Sequence, residues 1–158
     1  MSKKMTKLSI VIPVYNEKKT ILKVLKAVSK SKTFSLKKEI IIVDDGSTDG
    51  TKELLINYQR KFKKLLLLIN DRNFGKGASI VRGLLQSTGD VVVIQDADLE
   101  YSPAEYPNLI TPIYKGYADV VYGSRFINSS PHRVLYFYHY LGNKFITSLS
   151  NFLTNLNL

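Results

Sequence analysis

EIIIVDDGSTDGTKELL, residues Glu39 to Leu55, decides the fold. Four apolar residues (Ile40 to Val43) run into two carboxylates, Asp44 and Asp45, and a Gly-Ser-Thr-Asp-Gly turn leads into an amphipathic run. An apolar run without alternation reads as a strand covered on both faces, and the turn residues hand it to a helix. Either Ser47 or Thr48 is expected to cap that helix, with Leu54, Leu55, Tyr58 and Phe62 buried.

The same grammar repeats outward. LSIVIPVY (Leu8–Tyr15) reads as a strand, and Thr20–Ser31 as a helix with Ile21, Leu22, Leu25 and Val28 on one face. LLLLIN (Leu65–Asn70) is a third strand, followed by a Gly-rich loop and a helix near Ala78–Ser87. Val91–Gln95 is a fourth strand and ADVVYGS (Ala118–Ser124) a fifth. Between them Ser102, Pro103 and Glu105 form a capping signature, while Pro107 and Pro112 predict a short or kinked element. Buried strands alternating with helices imply a doubly wound α/β fold, a mostly parallel sheet with helices on both faces.

Ligands in such sheets bind at the carboxyl ends of the strands. Five polar clusters fall there: Tyr15-Asn16-Glu17, Asp44-Asp45-Gly46, Asn70 to Gly77, Asp96 to Glu100, and Gly123-Ser124-Arg125. Their convergence on one rim is the strongest inference that the pattern supports.

At 158 residues, 44% hydrophobic and 23% charged, the chain has the size and composition of one globular domain. It holds no cysteine, which excludes disulfides and thiolate zinc sites. No run approaches a membrane span or a cleavable leader, and the chain reads as soluble and not secreted. The net charge of +10 lies wholly in residues 1–64, with 16 Lys and Arg against 6 Asp and Glu; residues 65–158 hold 7 of each. The scattered lysines lack interleaved aromatics, so a solvated helix face is favoured over a nucleic-acid or anionic membrane surface.

Asp96 and Asp98, two apart after a buried strand, point the same way, and Glu100 continues the series. Hard carboxylate oxygens suit Mg2+ or Mn2+ held together with substrate phosphates. Asp45 is placed to accept hydrogen bonds from a ribose or a base. NFGKGAS (Asn73–Ser79) is not a Walker A loop, because the position five before the Gly-Lys pair is Asn70 and not glycine. Its glycines let the loop approach the sheet and leave Lys76 free to meet a phosphate. No G-x-G-x-x-G follows the first strand, which argues against a dinucleotide fold. Arg125 and Arg133 suit phosphate through their forked donors; neither His132 nor His139 is read as catalytic.

From Val134, apolar residues recur at Tyr138, Leu141, Phe145, Leu149, Phe152 and Leu156, one helical stripe dense in aromatics. The chain then stops at NLNL without a closing element, as a truncated chain would.

Together, PVYNE, VDDGSTDGT, NFGKGAS, GDVVVIQDADLEY and ADVVYGSRF resemble glycosyltransferase family 2 of the GT-A fold, nearest to the dolichyl- or polyprenyl-phosphate mannose synthase group. By that resemblance Pro13, Tyr15, Glu17, Val43 and Asp45 hold the nucleoside of a nucleotide-diphosphate sugar. Asp96, Ala97 and Asp98 meet its diphosphate and sugar, Asp98 and Glu100 take the metal, and Arg125 and Arg133 bind phosphate, with Asp96, Asp98 and Arg125 catalytic. Residues 1–133 are then the donor-binding core, and 134–158 an amphipathic helix opening an incomplete acceptor and membrane-side region.

The implied reaction is metal-dependent, inverting transfer of a hexose from GDP-mannose or a UDP-sugar to a polyprenyl or dolichyl phosphate. The implied place is the cytoplasmic face of a membrane, with no nucleic-acid partner. Transfer to a glycan or polysaccharide hydroxyl and a non-enzymatic membrane- or nucleic-acid-binding module are the alternatives. A D-x-D phosphatase fits poorly, since its nucleophile pair follows the first strand.

Overall fold

The computed structural model describes residues 5–62, 65–123 and 137–154. Four parallel strands form one sheet: β1 (Lys7–Val14), β2 (Lys37–Asp44), β3 (Leu65–Ile69) and β4 (Val91–Ile94), in the order β3-β2-β1-β4. Register is what makes the rim. Val14 pairs with Asp44 and Asp44 with Ile69, so three strands end in one row, while β4 ends lower, with Ile94 opposite Val11. The chain winds outward from β1 to β3 and then returns to the other side of β1. The gap between β1 and β4 is therefore the topological switch point, where such sheets bind ligands.

Proline is rare in an inner strand because it cannot donate to the ladder. Pro13 is tolerated because Val11 and Pro13 face β4, and β4 has run out by Pro13: the last bond there is Gln95 N–H to Val11 O, at 2.9 Å.

Helices α1 (Ile21–Lys30), α2 (Thr51–Lys61) and α4 (Tyr106–Tyr114) share one apolar core against the sheet. Ile21, Val24, Leu25, Val28, Leu55, Tyr106 and Ile110 pack there with Leu8, Ile10, Ile12 and Ile42. On the other face, α3 (Lys76–Leu85) lies close because it presents Gly83: a Cβ there would stand 2.4 Å from a Val11 methyl and 3.3 Å from a Val43 methyl. Lys23, Lys26 and Lys30 occupy the exposed face of α1, as a solvated helix face requires. Lys38 is used differently. Its ammonium donates to the carbonyls of Val28, Ser29 and Ser31 at 2.6–2.9 Å, closing the C-terminal end of α1.

Four sequence expectations change: Leu22, placed on the buried face of α1, is exposed, and Val24 takes its place there. Helix α2 starts at Thr51 behind a left-handed Gly50, not behind Ser47 or Thr48. Asp49 accepts from the Thr51 N–H (3.0 Å) and hydroxyl (2.6 Å), whereas Ser47 and Thr48 bond to Asn16. Phe62, expected in the core, ends α2 and stays exposed, its ring stacked on Tyr58 at 4.4 Å. Residues Ala118 to Gly123 form no strand, and Val120 and Tyr122 are exposed; β-branched and aromatic residues do not make a strand without a partner to pair with. Ser124 lies outside the described residues. The proline-rich stretch is a 3-10 turn (Pro103–Glu105), capped by Ser102 accepting from Ala104 N–H, that leads into α4 with Pro112 inside it.

The chain divides into two compact units, Met1–Tyr122 and Gly123–Leu158; the expected boundary at 133/134 falls outside the described residues. In the second unit, α5 (Phe137–Thr154) carries no acidic residue, and Leu141, Phe145, Leu149 and Phe152 of the predicted stripe are exposed. Among the described residues no helix is long and apolar enough to cross a membrane.

At the amino end of the sheet, Glu39 ties β2 to the turn before β4. It pairs with the Lys7 ammonium and accepts from Ser9 Oγ (2.5 Å), Thr88 N–H (2.9 Å) and Thr88 Oγ1 (2.8 Å). Burial opposes its charge, but Lys7, Ser9 and Thr88 outweigh that and bring its carboxyl down to about 2 from the ordinary 4.5. A depressed pKa contributes stability that is full above 4.5 and lost as pH falls towards 2. Glu39→Gln should therefore cost about 1–3 kcal/mol at pH 7. In thermal melts across pH, the gap from wild type should close in that acid window.

Candidate active site

A cavity of about 260 Å3 opens at the switch point. Pro13, Val14, Tyr15 and Glu17 form its β1 wall, Asp45 its β2 wall, Asn73, Gly75, Lys76 and Ser79 the α3 side, and Asp96, Ala97 and Asp98 the β4 side. Each lining group sits where a strand stops or a helix starts, so the strand register positions all of them at once.

The paired carboxylates of β2 diverge. Asp44, on the strand, is fully buried, and its Oδ2 accepts from Ser47 N–H at 3.3 Å while Oδ1 has no partner. Asp45 turns towards α3 and is saturated. Its Oδ1 accepts from Asn70 Nδ2 (2.6 Å) and Phe74 N–H (3.1 Å), and its Oδ2 from Gly75 N–H (2.8 Å). Burial pushes its pKa up, but hydrogen bonds from Phe74, Asn70, Ser79 and Gly75 more than reverse this and hold the carboxylate ionised. Asp45 thus latches the Asn73–Lys76 loop to β2. Gly46 permits the latch: its φ is +73°, and a Cβ there would meet the Arg72 carbonyl carbon at 2.6 Å. Asn70 is itself held, its Oδ1 accepting from Arg82, which also donates to Ile69 O at 2.8 Å.

Lys76 opens α3 and reaches across the cavity to Asp96, Nζ to Oδ1 at 2.6 Å. The sequence left this lysine free; the fold gives it a carboxylate partner in the position where an anion would compete. Asp98 and Glu100 lie on the exposed loop after β4, with Leu99 between them in the left-handed region at φ 68°. Glu100 N–H donates to Asp98 Oδ1 at 2.9 Å. Glu17 accepts from the Thr20 hydroxyl.

No cluster of three or more His, Cys, Asp or Glu suited to a metal occurs among the described residues. The two oxygen-donor side chains Asp98 and Glu100 still fit Mg2+ or Mn2+. Mg2+ in particular ordinarily binds through one or two carboxylates, with substrate phosphates and water completing the shell.

Eight of the residues singled out from sequence line the cavity: Pro13, Tyr15, Glu17, Asp45, Lys76, Asp96, Ala97 and Asp98. Val43 does not; it is fully buried with Val11 and Ile41 beneath α3, as alternation from Asp44 requires. Glu100 lies beyond the cavity wall, on the same loop as Asp98. Arg125, Arg133 and His132 lie outside the described residues, and the side chain of His139 is likewise not described. Sequence reading missed the role of Ser79, buried one turn into α3, and put Asn70 on the rim without its role as the anchor of Asp45. The available signal for both was polarity at a buried helical or strand-end position.

The model of the family Glycosyl transferase family 2 matches residues 9–157. An undecaprenyl-phosphate 4-deoxy-4-formamido-L-arabinose transferase of Proteus mirabilis (strain HI4320) is 38% identical over 120 residues, 75% of this chain and 36% of that protein. The chain spans about a third of the length of the curated relatives it matches. Among solved structures, a mannosyltransferase of Pyrobaculum calidifontis in complex with GDP-Man and Mn2+ superposes with a TM-score of 0.55 at 29% identity, over 60% of this chain and 28% of that one. TarS of S. aureus in complex with UDP superposes with a TM-score of 0.60 at 27% identity, over 72% and 34%.

Gly46 and Gly75 separate backbone strain from close approach, since both have positive φ but only Gly46 has neighbours within 4 Å. Gly75, at φ 92° and ψ 155°, lies in a region essentially confined to glycine, so Gly75→Ala should cost about 1–3 kcal/mol from backbone strain alone. Gly46→Ala should cost at least about 1 kcal/mol more, because the Arg72 backbone must move. Chemical denaturation of both variants measures the difference.

Proposed function

The chain belongs to Glycosyl transferase family 2 and has the GT-A fold, and on that premise we propose that the full-length protein transfers a sugar from a nucleotide-diphosphate sugar to a polyprenyl phosphate. The observation that carries this reading is the cavity at the switch point, where Lys76 faces Asp96 and Asp98 beside Tyr15 and the latched Asp45 loop. Tyr15, half-exposed at the β1 end, offers a ring face to a base. Asp45 keeps the loop beside the nucleoside in place, and Lys76 supplies the positive charge for the diphosphate. When the donor binds, its phosphate replaces Asp96 as the partner of the Lys76 ammonium, which frees Asp96 to meet the sugar.

Asp98 and Glu100 would hold Mg2+ or Mn2+, which when bound offsets the charge gathering on the departing nucleoside diphosphate. The acceptor oxygen attacks the anomeric carbon opposite that leaving group, so the configuration inverts. Arg125 and Arg133 belong to the proposed phosphate-binding set. The carboxylates lining the cavity support a phosphate acceptor. Asp45 is bonded to the loop, Asp96 is committed to the sugar once the donor has taken Lys76, Asp98 serves the metal, and the carboxylate of Glu17 is held by Thr20. Among the described residues that line the cavity none is left over as a general base for a sugar hydroxyl, whereas a phosphate acceptor is already ionised and needs none. The undecaprenyl-phosphate transferases among the relatives support the same acceptor. The reaction then takes place at a membrane surface, and the exposed apolar residues of α5 suit such a surface.

Incubating the full-length protein with GDP- and UDP-sugars and polyprenyl phosphate should give a lipid-linked sugar with one of the donors. Chelating divalent ions should abolish it. Product on a glycan hydroxyl and none on the lipid phosphate would contradict the acceptor assignment. In calorimetry with the accepted donor and Mn2+, Asp98→Ala and Glu100→Ala should each weaken binding at least about tenfold, about 1.4 kcal/mol. If their affinity is unchanged, the metal assignment fails.

A further inference from the structure

Gln95 is a buried amide at the end of β4 with every hydrogen-bonding group engaged. Its Nε2 donates to Asp96 O at 3.0 Å and to Tyr101 O at 3.1 Å. Its Oε1 accepts from the Tyr106 hydroxyl at 2.8 Å, and that ring is buried at the start of α4. Burial pushes the Tyr106 phenol far above its ordinary pKa, so it stays protonated and is the donor. The amide has one workable orientation, since turning it would set Oε1 against two carbonyl oxygens. One side chain therefore ties both ends of the six-residue excursion from Asp96 to Tyr101, and α4 holds that side chain still. Within the excursion lie Asp98, the left-handed Leu99 and Glu100, a backbone shape that needs outside support.

We propose that Gln95 and Tyr106 are positioning residues for the carboxylate loop: they close it into the shape that presents Asp98 and Glu100 together to a divalent cation on a diphosphate. The inference rests on the function proposed above and adds to it the device that sets the geometry of the loop. Neither residue lines the cavity. Their effect passes through the backbone at Asp96 and Tyr101. Loss of the clamp should thus impair the metal-dependent part of nucleotide binding and spare the part that Tyr15, Asp45 and Lys76 supply.

The test compares Gln95→Leu and Tyr106→Phe with wild type, on the full chain, by calorimetry with UDP and GDP in excess Mn2+ and in EDTA. The readout is the ratio of the two affinities for the nucleotide that binds. That ratio should fall at least about tenfold in Gln95→Leu and at least about threefold in Tyr106→Phe, with affinity in EDTA within about twofold of wild type. Tyr106→Phe keeps the ring in the core, so it decides alone if Gln95→Leu does not fold. An unchanged ratio in a folded variant overturns the inference, as does an equal loss with and without Mn2+, which marks a merely structural role. Absence of any Mn2+ enhancement in wild type would instead overturn the metal-dependent function on which the inference rests.

Discussion

A parallel ladder has one carboxyl edge, and everything functional in this chain depends on where that edge falls. Register places Val14, Asp44 and Ile69 in a row and stops β4 short, at the level of Val11. The missing β4 residues leave a gap beside Pro13, and the polar ends of the neighbouring strands close around it. A shift of one residue in β2 would put Asp44 or Gly46 where Asp45 stands, and one in β4 would put Gln95 or Ala97 in place of Asp96. The buried faces of the sheet forbid such a shift, because Ile10, Ile12 and Ile42 on one side and Val11, Ile41 and Val43 on the other are packed under helices.

Carboxylates crowded at one edge repel one another unless each is given a counterpart. Here the counterparts are local. Asp45 is neutralised by amide dipoles from Asn70, Phe74 and Gly75, Asp96 by the Lys76 ammonium, and Asp98 in part by the Glu100 N–H. These partners differ in how readily they are replaced. The Asp45 latch is buried and multiply bonded, whereas the Lys76 side chain is 60% exposed and meets Asp96 through one ion pair. An exposed ion pair contributes little to stability, so a diphosphate competes for it at small cost.

Much of this was legible in the sequence because it rests on periodicity. Unbroken apolar runs such as Ile40 to Val43 announce parallel strands, and polar residues at their ends announce the rim. What the sequence hid depends on pairing and on distance through space. Residues Ala118 to Gly123 have strand composition but no ladder among the described residues. Lys76 looked free because Asp96, its partner, is twenty residues away and meets it only once α3 and β4 flank β1. Val43 entered the site through the family resemblance alone, yet alternation sends its side chain under α3. Gln95 read as a strand end, and its bond to Tyr106 has no sequence signature at all.

The central claim is that the cavity at the switch point takes a nucleoside diphosphate by exchanging the partner of Lys76. A crystal structure of the chain with UDP or GDP and Mn2+ tests it most directly. The account predicts the diphosphate in that cavity, the Lys76 ammonium on a phosphate oxygen and withdrawn from Asp96, and the Asp45 latch unchanged. A nucleotide bound elsewhere, or bound there with the Lys76–Asp96 pair intact, would contradict it.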